Sequence, residues 1–178
     1  MKNLLYLSLS ILVIATIISV NSCDNKIQSM KNLKTKNMRT EEIIEANDKL
    51  YAGLNEMFMG NFEPLNKLWS HSDSITFMGP FGGYLKGWDE IGKNFKEVSE
   101  MKLGGKIVCA NMNVFAGNDV GYVTCVEQGT NVGPDGKLVN VNHRATNIFH
   151  LEDGIWRLVH HHTDISLQHE QAFDMEIK

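Results

Sequence analysis

Apolar residues recur every three to four positions from Thr40 to Asn61. Ile43, Leu50, Leu54, Met57 and Phe58 mark one stripe of an amphipathic helix. Thr40 stands at its N-cap, and Glu41 and Glu42 complement the positive end of the helix dipole. Gly60-Asn61 ends it. "FEPLNKLWS" predicts a short second helix, with Pro64 in its first turn and Leu65, Leu68 and Trp69 on its apolar side. "DSITFMGP" and "GGYLKG" predict two short strands joined at Pro80-Phe81-Gly82-Gly83. "WDEIGKNFKEVSEM" returns to helical spacing at Trp88, Ile91, Phe95 and Val98.

From Gly104 onward the pattern becomes strand-like. "KIVCANMNVF" and "DVGYVTCVEQGT" are parted by Ala116-Gly117-Asn118. "GPDG" marks the next turn. "KLVNVNHRATNIFHL" and "IWRLVHHHTDI" flank Asp153-Gly154, a strong hairpin signal. Four long strands with short connections make an antiparallel meander. Helices segregated from strands indicate an α+β domain. Three apolar helix stripes suffice to cover one face of its sheet, and a curved sheet would enclose a pocket.

The first residues follow a different logic. Met1-Lys2-Asn3 is a short positive region, Leu4 to Val20 is apolar, and "SVNSC" follows. That order is a signal peptide's. Cys23, placed just after small residues, resembles the modified cysteine of a bacterial lipoprotein, which implies cleavage of residues 1–22 and a lipid on Cys23. The apolar run has 17 residues, short of the roughly 20 that span a bilayer. Asp24 to Arg39 carries five Lys/Arg against one acid and reads as a flexible linker. The expected organisation is a signal peptide at 1–22, lipidated Cys23 and linker at 23–39, a domain at 40–166 and a tail at 167–178. The expected location is the cell envelope, membrane-anchored through Cys23.

Charge narrows the partners. The chain has 178 residues, 43% of them hydrophobic, enough for one domain with a core. Thr40 to Lys178 holds 11 Lys/Arg against 20 Asp/Glu, a formal charge of −9. An acidic domain without a basic stripe is a poor partner for nucleic acid.

Four local patterns, "LWSHSDSITFMGP", "GYLKGWDEI", "HRATNIF" and "DGIWRLVHHHTD", in this order of elements resemble the SnoaL-like and ketosteroid-isomerase-like branch of the nuclear transport factor 2-like superfamily. The resemblance spans nearly all of Thr40 to Asp164. It implies a cone-shaped α+β fold, a curved antiparallel sheet of about six strands packed against three N-terminal helices. Members of this superfold include small-molecule binders, isomerases, cyclases, dehydratases and proteins that only dimerise, so fold does not fix function. A homodimer is one of the partners it implies.

Three consecutive histidines close the last strand. Strict alternation puts Trp156, Leu158, His160 and His162 on one face, and Arg157, Val159, His161 and Thr163 on the other. The larger apolar residues choose the first face as the inner one. His160 and His162 then become candidate acid–base groups, since imidazole titrates near neutrality. With a two-residue turn, His160 would oppose Asn147, and His162 would oppose Ala145, with His143 beyond. A shift of one residue would bring in Arg144 and Thr146 instead. The resemblance favours Arg144 and Thr146.

Three readings compete for these residues. His143, His160 and His162 could converge on a metal, but the strand pattern explains the His-x-His spacing more simply, and neither metal nor cofactor is expected. Acid–base catalysis would use His160 or His162, with Asp164 or Glu127 orienting the ring and Tyr84 or Tyr122 donating hydrogen bonds; no aspartate aligns with a ketosteroid-isomerase base. Binding needs only an apolar pocket with a few polar groups. Trp69, Phe77, Tyr84, Trp88, Glu127, Arg144 and Trp156 are its candidates, although such aromatics equally serve as core. The leading expectation is a small, partly apolar ligand.

Cys109 and Cys125 are symmetric about Gly117 on consecutive strands and would face each other. An exported domain permits a disulfide between them; two buried thiols are the alternative.

Overall fold

The computed structural model describes residues 2–80, 82–133 and 136–165, with side chains from Lys26 to Asp164. Cys23, the preceding signal-like segment and the tail at 167–178 fall outside the residues so described. The chain divides into two compact units, residues 1–38 and 39–178.

Residues 26–38 are helical and exposed, within α1 (Lys2–Phe58). The expected flexible linker and the N-cap at Thr40 are therefore replaced by continuous helix. The physical reason is composition: Asp24 to Arg39 contains neither proline nor glycine, and its Lys, Gln, Met and Leu are good helix formers.

The second unit carries the fold. Beyond Arg39, α1 is followed by α2 (Glu63–Leu68), β1 (Thr76–Met78), β2 (Leu85–Lys86), α3 (Trp88–Met101), β3 (Lys106–Ala116), β4 (Val120–Val132), β5 (Leu138–Glu152) and β6 (Ile155–Ile165). The strands form one curved, unclosed sheet in the order β2-β1-β6-β5-β4-β3. The meander β3 to β6 is antiparallel, as expected. β1 joins it parallel to β6, with Thr76 beside His160 and Met78 beside His162, so the sheet is mixed rather than wholly antiparallel.

The helices bury their predicted stripes. Ile43, Leu50 and Leu54 of α1, Leu65 of α2, and Ile91 and Phe95 of α3 pack with Val123, Phe149 and Leu158 of the sheet. Gly121 lets α1 lie this close: a Cβ there would come within 2.6 Å of Ile43 Cδ1. Asp153 and Gly154 both take positive φ, 50° and 80°, the tight turn anticipated between β5 and β6.

Two bulges set what faces inward. In β3 the register shifts between Ala110 and Asn113, with Asn111 at φ 52°. The β3–β4 turn centres between Asn118 and Asp119, pairing Ala116 with Gly121, rather than on Gly117; Cys109 therefore lies opposite Glu127, not Cys125, and both cysteines are free thiols. In β6 the register shifts between Ile148 and Phe149 of β5: Leu158 opposes Phe149, but His160 opposes Ile148. Val159 is the extra residue. A bulge reverses the facing of every residue beyond it.

Candidate functional site

The bulge at Val159 corrects the expected inner face. Trp156 and Leu158 point inward as anticipated, but after Val159 the inward residues are His161 and Thr163, 4% and 2% exposed. His160 and His162 stand on the outer face. His160 Nδ1 lies 2.6 Å from Thr76 Oγ1, and the two rings are 6.3 Å apart. Burial, then the neighbouring His162, lowers the His160 pKa. The inward partners on β5 are His143, Ala145 and Asn147, so the three histidines considered for a metal do not converge. Among the described residues no cluster of His, Cys, Asp or Glu is arranged to hold one.

A cavity of ≈ 380 Å³ lies between α1, α3 and the concave sheet face. Leu54, Met57, Phe77, Phe95, Val98 and Val141 supply apolar wall. Phe77 and Phe95 meet edge to face at 5.0 Å. The polar surface comes from Glu127, His143, His161, Thr163, Asn94 and Asn131.

These polar groups join a buried network anchored on α1. Tyr51, one helical turn from Asn47, donates to Glu127 Oε1 at 3.1 Å and contacts Cys125 Sγ at 3.1 Å. Asn47 Nδ2 donates to the sulfurs of Cys109 and Met112 at 3.4 and 3.7 Å, which leaves its oxygen to accept. Asn147 Nδ2 donates to that oxygen at 2.8 Å. Asn147 Oδ1, 2.6 Å from His161 Nδ1, therefore accepts the His161 Nδ1–H. Nε2 of His161 is left as a lone pair, 3.8 Å from Glu127 Oε1. Burial pushes the His161 pKa down, and Glu127 only partly opposes it, so the ring is neutral. Phe77 stacks on it at 5.6 Å. His143 Nδ1 is 3.7 Å from Glu127 Oε2. Burial, reinforced by the charge of Glu127, holds the Tyr51 phenol well above its ordinary pKa, so Tyr51 stays a donor.

Of the binding residues expected from the sequence, Phe77 and Glu127 line this cavity. Trp69 is core, 1% exposed, with its edge against Phe77 and Phe95. Trp88 stacks on His71 at 4.4 Å, and Tyr84 is 59% exposed. Arg144 is on the outer face, where its guanidinium makes a two-pronged pair with Asp164 at 3.0 and 2.7 Å. Trp156 lies elsewhere, in an open cleft of ≈ 610 Å³ with Glu42, Lys49, Lys67 and Arg157, and its indole donates to Glu42 at 2.9 Å.

The sequence reading missed Tyr51, Asn47, Asn147, His161 and Thr163 as a group. Tyr51 and Asn47 are four apart on the same helix as the apolar stripe, a spacing that placed them inward. His161 carried no comparable signal, because nothing local to Val159 announces a bulge.

The chain belongs to the SnoaL-like domain family, whose pattern matches residues 43–167. Solved structures share its fold at low identity. One, provisionally assigned as a dehydratase of the NTF2-like family from Streptomyces avermitilis, superposes with a TM-score of 0.66 at 24% identity, over 74% of this chain and 99% of that one. An NTF2-like superfamily protein from Salmonella enterica serovar Typhimurium gives 0.65 at 18% identity, over 74% and 94%. The association domain of C. elegans CaMKII gives 0.57 at 17% identity, over 73% and 98%. Among curated proteins none matches.

Proposed function

We propose that this protein binds a small, partly apolar molecule in the cavity between α1, α3 and the sheet. One observation carries the reading. The cavity joins an aromatic and aliphatic wall to a polar lining in which Thr163 Oγ1 and Asn131 Oδ1 are shielded from solvent without a hydrogen-bond partner. Buried polar atoms are normally paired, so orphans lining one cavity favour an occupant that pairs them. A volume of ≈ 380 Å³ sits at the small end of ligand pockets, which span about 300–1,000 Å³. The test is a fluorescence titration of the full chain with N-phenyl-1-naphthylamine. Saturable single-site binding is expected, and Val98→Trp should abolish it without lowering the melting temperature. Unchanged binding by that variant would move the site elsewhere.

A second reading is an acid–base enzyme, an isomerase or a hydratase/dehydratase. Neutral His161 favours it: its Nε2 lone pair lines the cavity and its tautomer is fixed by Asn147. In that reading His161 takes the part that alternation gave to His160 or His162.

We also propose export and anchoring by a lipid on Cys23, supported by the order of charge, apolar run and cysteine at the N-terminus. Incorporation of a labelled fatty acid that Cys23→Ala abolishes would establish it. A homodimer through the outer sheet face is supported by Phe115 and Tyr122, which stack at 5.2 Å while 50% and 38% exposed.

A further inference from the structure

The polar lining of the cavity has an asymmetry. Glu127 is 4% exposed, yet it receives one short hydrogen bond, from Tyr51. Its other neighbours stand off: His161 Nε2 at 3.8 Å and His143 Nδ1 at 3.7 Å, both too far for hydrogen bonds. The His161 atom facing it is itself an acceptor, because Nδ1 holds the ring's proton toward Asn147. Two acceptors thus confront each other across a gap that only a donor can bridge.

The rest of the polar surface repeats this bias. Asn131 Oδ1 is an unpartnered acceptor, and Thr163 Oγ1, on a residue 2% exposed, is unpartnered as well. Among the described residues, no lysine or arginine lines the cavity. The domain around it carries the excess of acids already noted. A buried carboxylate is costly unless a cation or several donors meet it.

We infer that the cavity's occupant is a small apolar amine, its ammonium seated among Glu127 and the acceptor atoms of His161 and Thr163 and its hydrocarbon part against Phe77 and Phe95. This rests on the binding reading above and names its ligand class. An ammonium has three donors and no acceptor, which suits a lining that offers Glu127 and the acceptor atoms of His161 and Thr163. Pairing with Glu127 places a charged donor at hydrogen-bonding distance from the carboxylate, which no lysine or arginine of the described lining does. The ring of Phe77 or Phe95 offers a face to either the cation or an aromatic tail.

Three probes of one shape and different heads test it: 2-phenylethylamine, 2-phenylethanol and phenylacetate. Each is titrated against the full chain by displacement of N-phenyl-1-naphthylamine. The amine should bind about tenfold more tightly than the alcohol, the margin between a charge-assisted and a neutral hydrogen bond, and phenylacetate should bind weakest. Glu127→Gln should bring amine and alcohol within about threefold. Thr163→Val, which removes an unpartnered hydroxyl from an isosteric side chain, should keep the fold and weaken the amine. Alcohol or phenylacetate binding as tightly as the amine would overturn the inference while leaving a ligand cavity. No displacement by any probe, with N-phenyl-1-naphthylamine itself unbound, would overturn the binding reading and this inference with it.

Discussion

His161 shares the inner face of the sheet with Leu158, three residues before it. Strict alternation forbids that pairing, and the bulged Val159 creates it. The result is a fully buried imidazole whose Nδ1 lies 2.6 Å from Asn147 Oδ1, while His160 and His162 face outward.

Asn147 is the joint of this network, with no exposed surface and hydrogen bonds to His161, Asn47 and Tyr51. Asn147→Ala leaves the His161 donor and the Asn47 acceptor buried and unpaired. Chemical denaturation should show a loss of about 2–4 kcal/mol. A loss below about 1 kcal/mol would mean these groups find other partners.

The neutral state of His161 makes stability depend on pH. Its folded pKa lies below the ordinary 6.5, so in mildly acidic solution the unfolded chain binds a proton that the folded chain refuses. Stability therefore holds above about pH 6.5 and falls as pH drops below it. His160, lowered by burial, adds to the same slope. Urea denaturation from pH 7.5 to 5.5 should show the decline, and His161→Gln should flatten it more than His160→Gln. An equal slope in the His161 variant would contradict the buried neutral imidazole.

Arg144 and Trp69 should separate surface from core. The Arg144–Asp164 pair is solvated, with side chains 60% and 41% exposed. Arg144→Ala should cost under about 1 kcal/mol and leave probe affinity unchanged. Trp69→Ala removes a large ring from the core and should cost about 3–5 kcal/mol. A loss of probe binding in Arg144→Ala, at unchanged stability, would return Arg144 to the pocket.

The architecture was legible because it follows from periodicity. Ile43 to Phe58 and Trp88 to Val98 carried helical stripes, and Asp153-Gly154 fixed the last hairpin. The register was readable only up to Leu158, because turn chemistry sets pairing from the turn outward. Bulges at Val159 and at Asn111 arise from packing across strands and leave no local signature. Phe77 and Glu127 were named on residue type alone and line the cavity; His161 was hidden by the bulge at Val159, and the Cys109–Glu127 juxtaposition by a turn that centres beyond Gly117. Helix at residues 26–38 was missed because charge and polarity describe solvation better than backbone conformation.

The most direct test of the account is a high-resolution crystal structure of the protein grown with 2-phenylethylamine. Density is expected in the cavity, with the ring against Phe77 and Phe95 and the nitrogen within hydrogen-bonding distance of Glu127. A cavity filled by the protein's own side chains, with Thr163 Oγ1 and Asn131 Oδ1 paired internally, would contradict it.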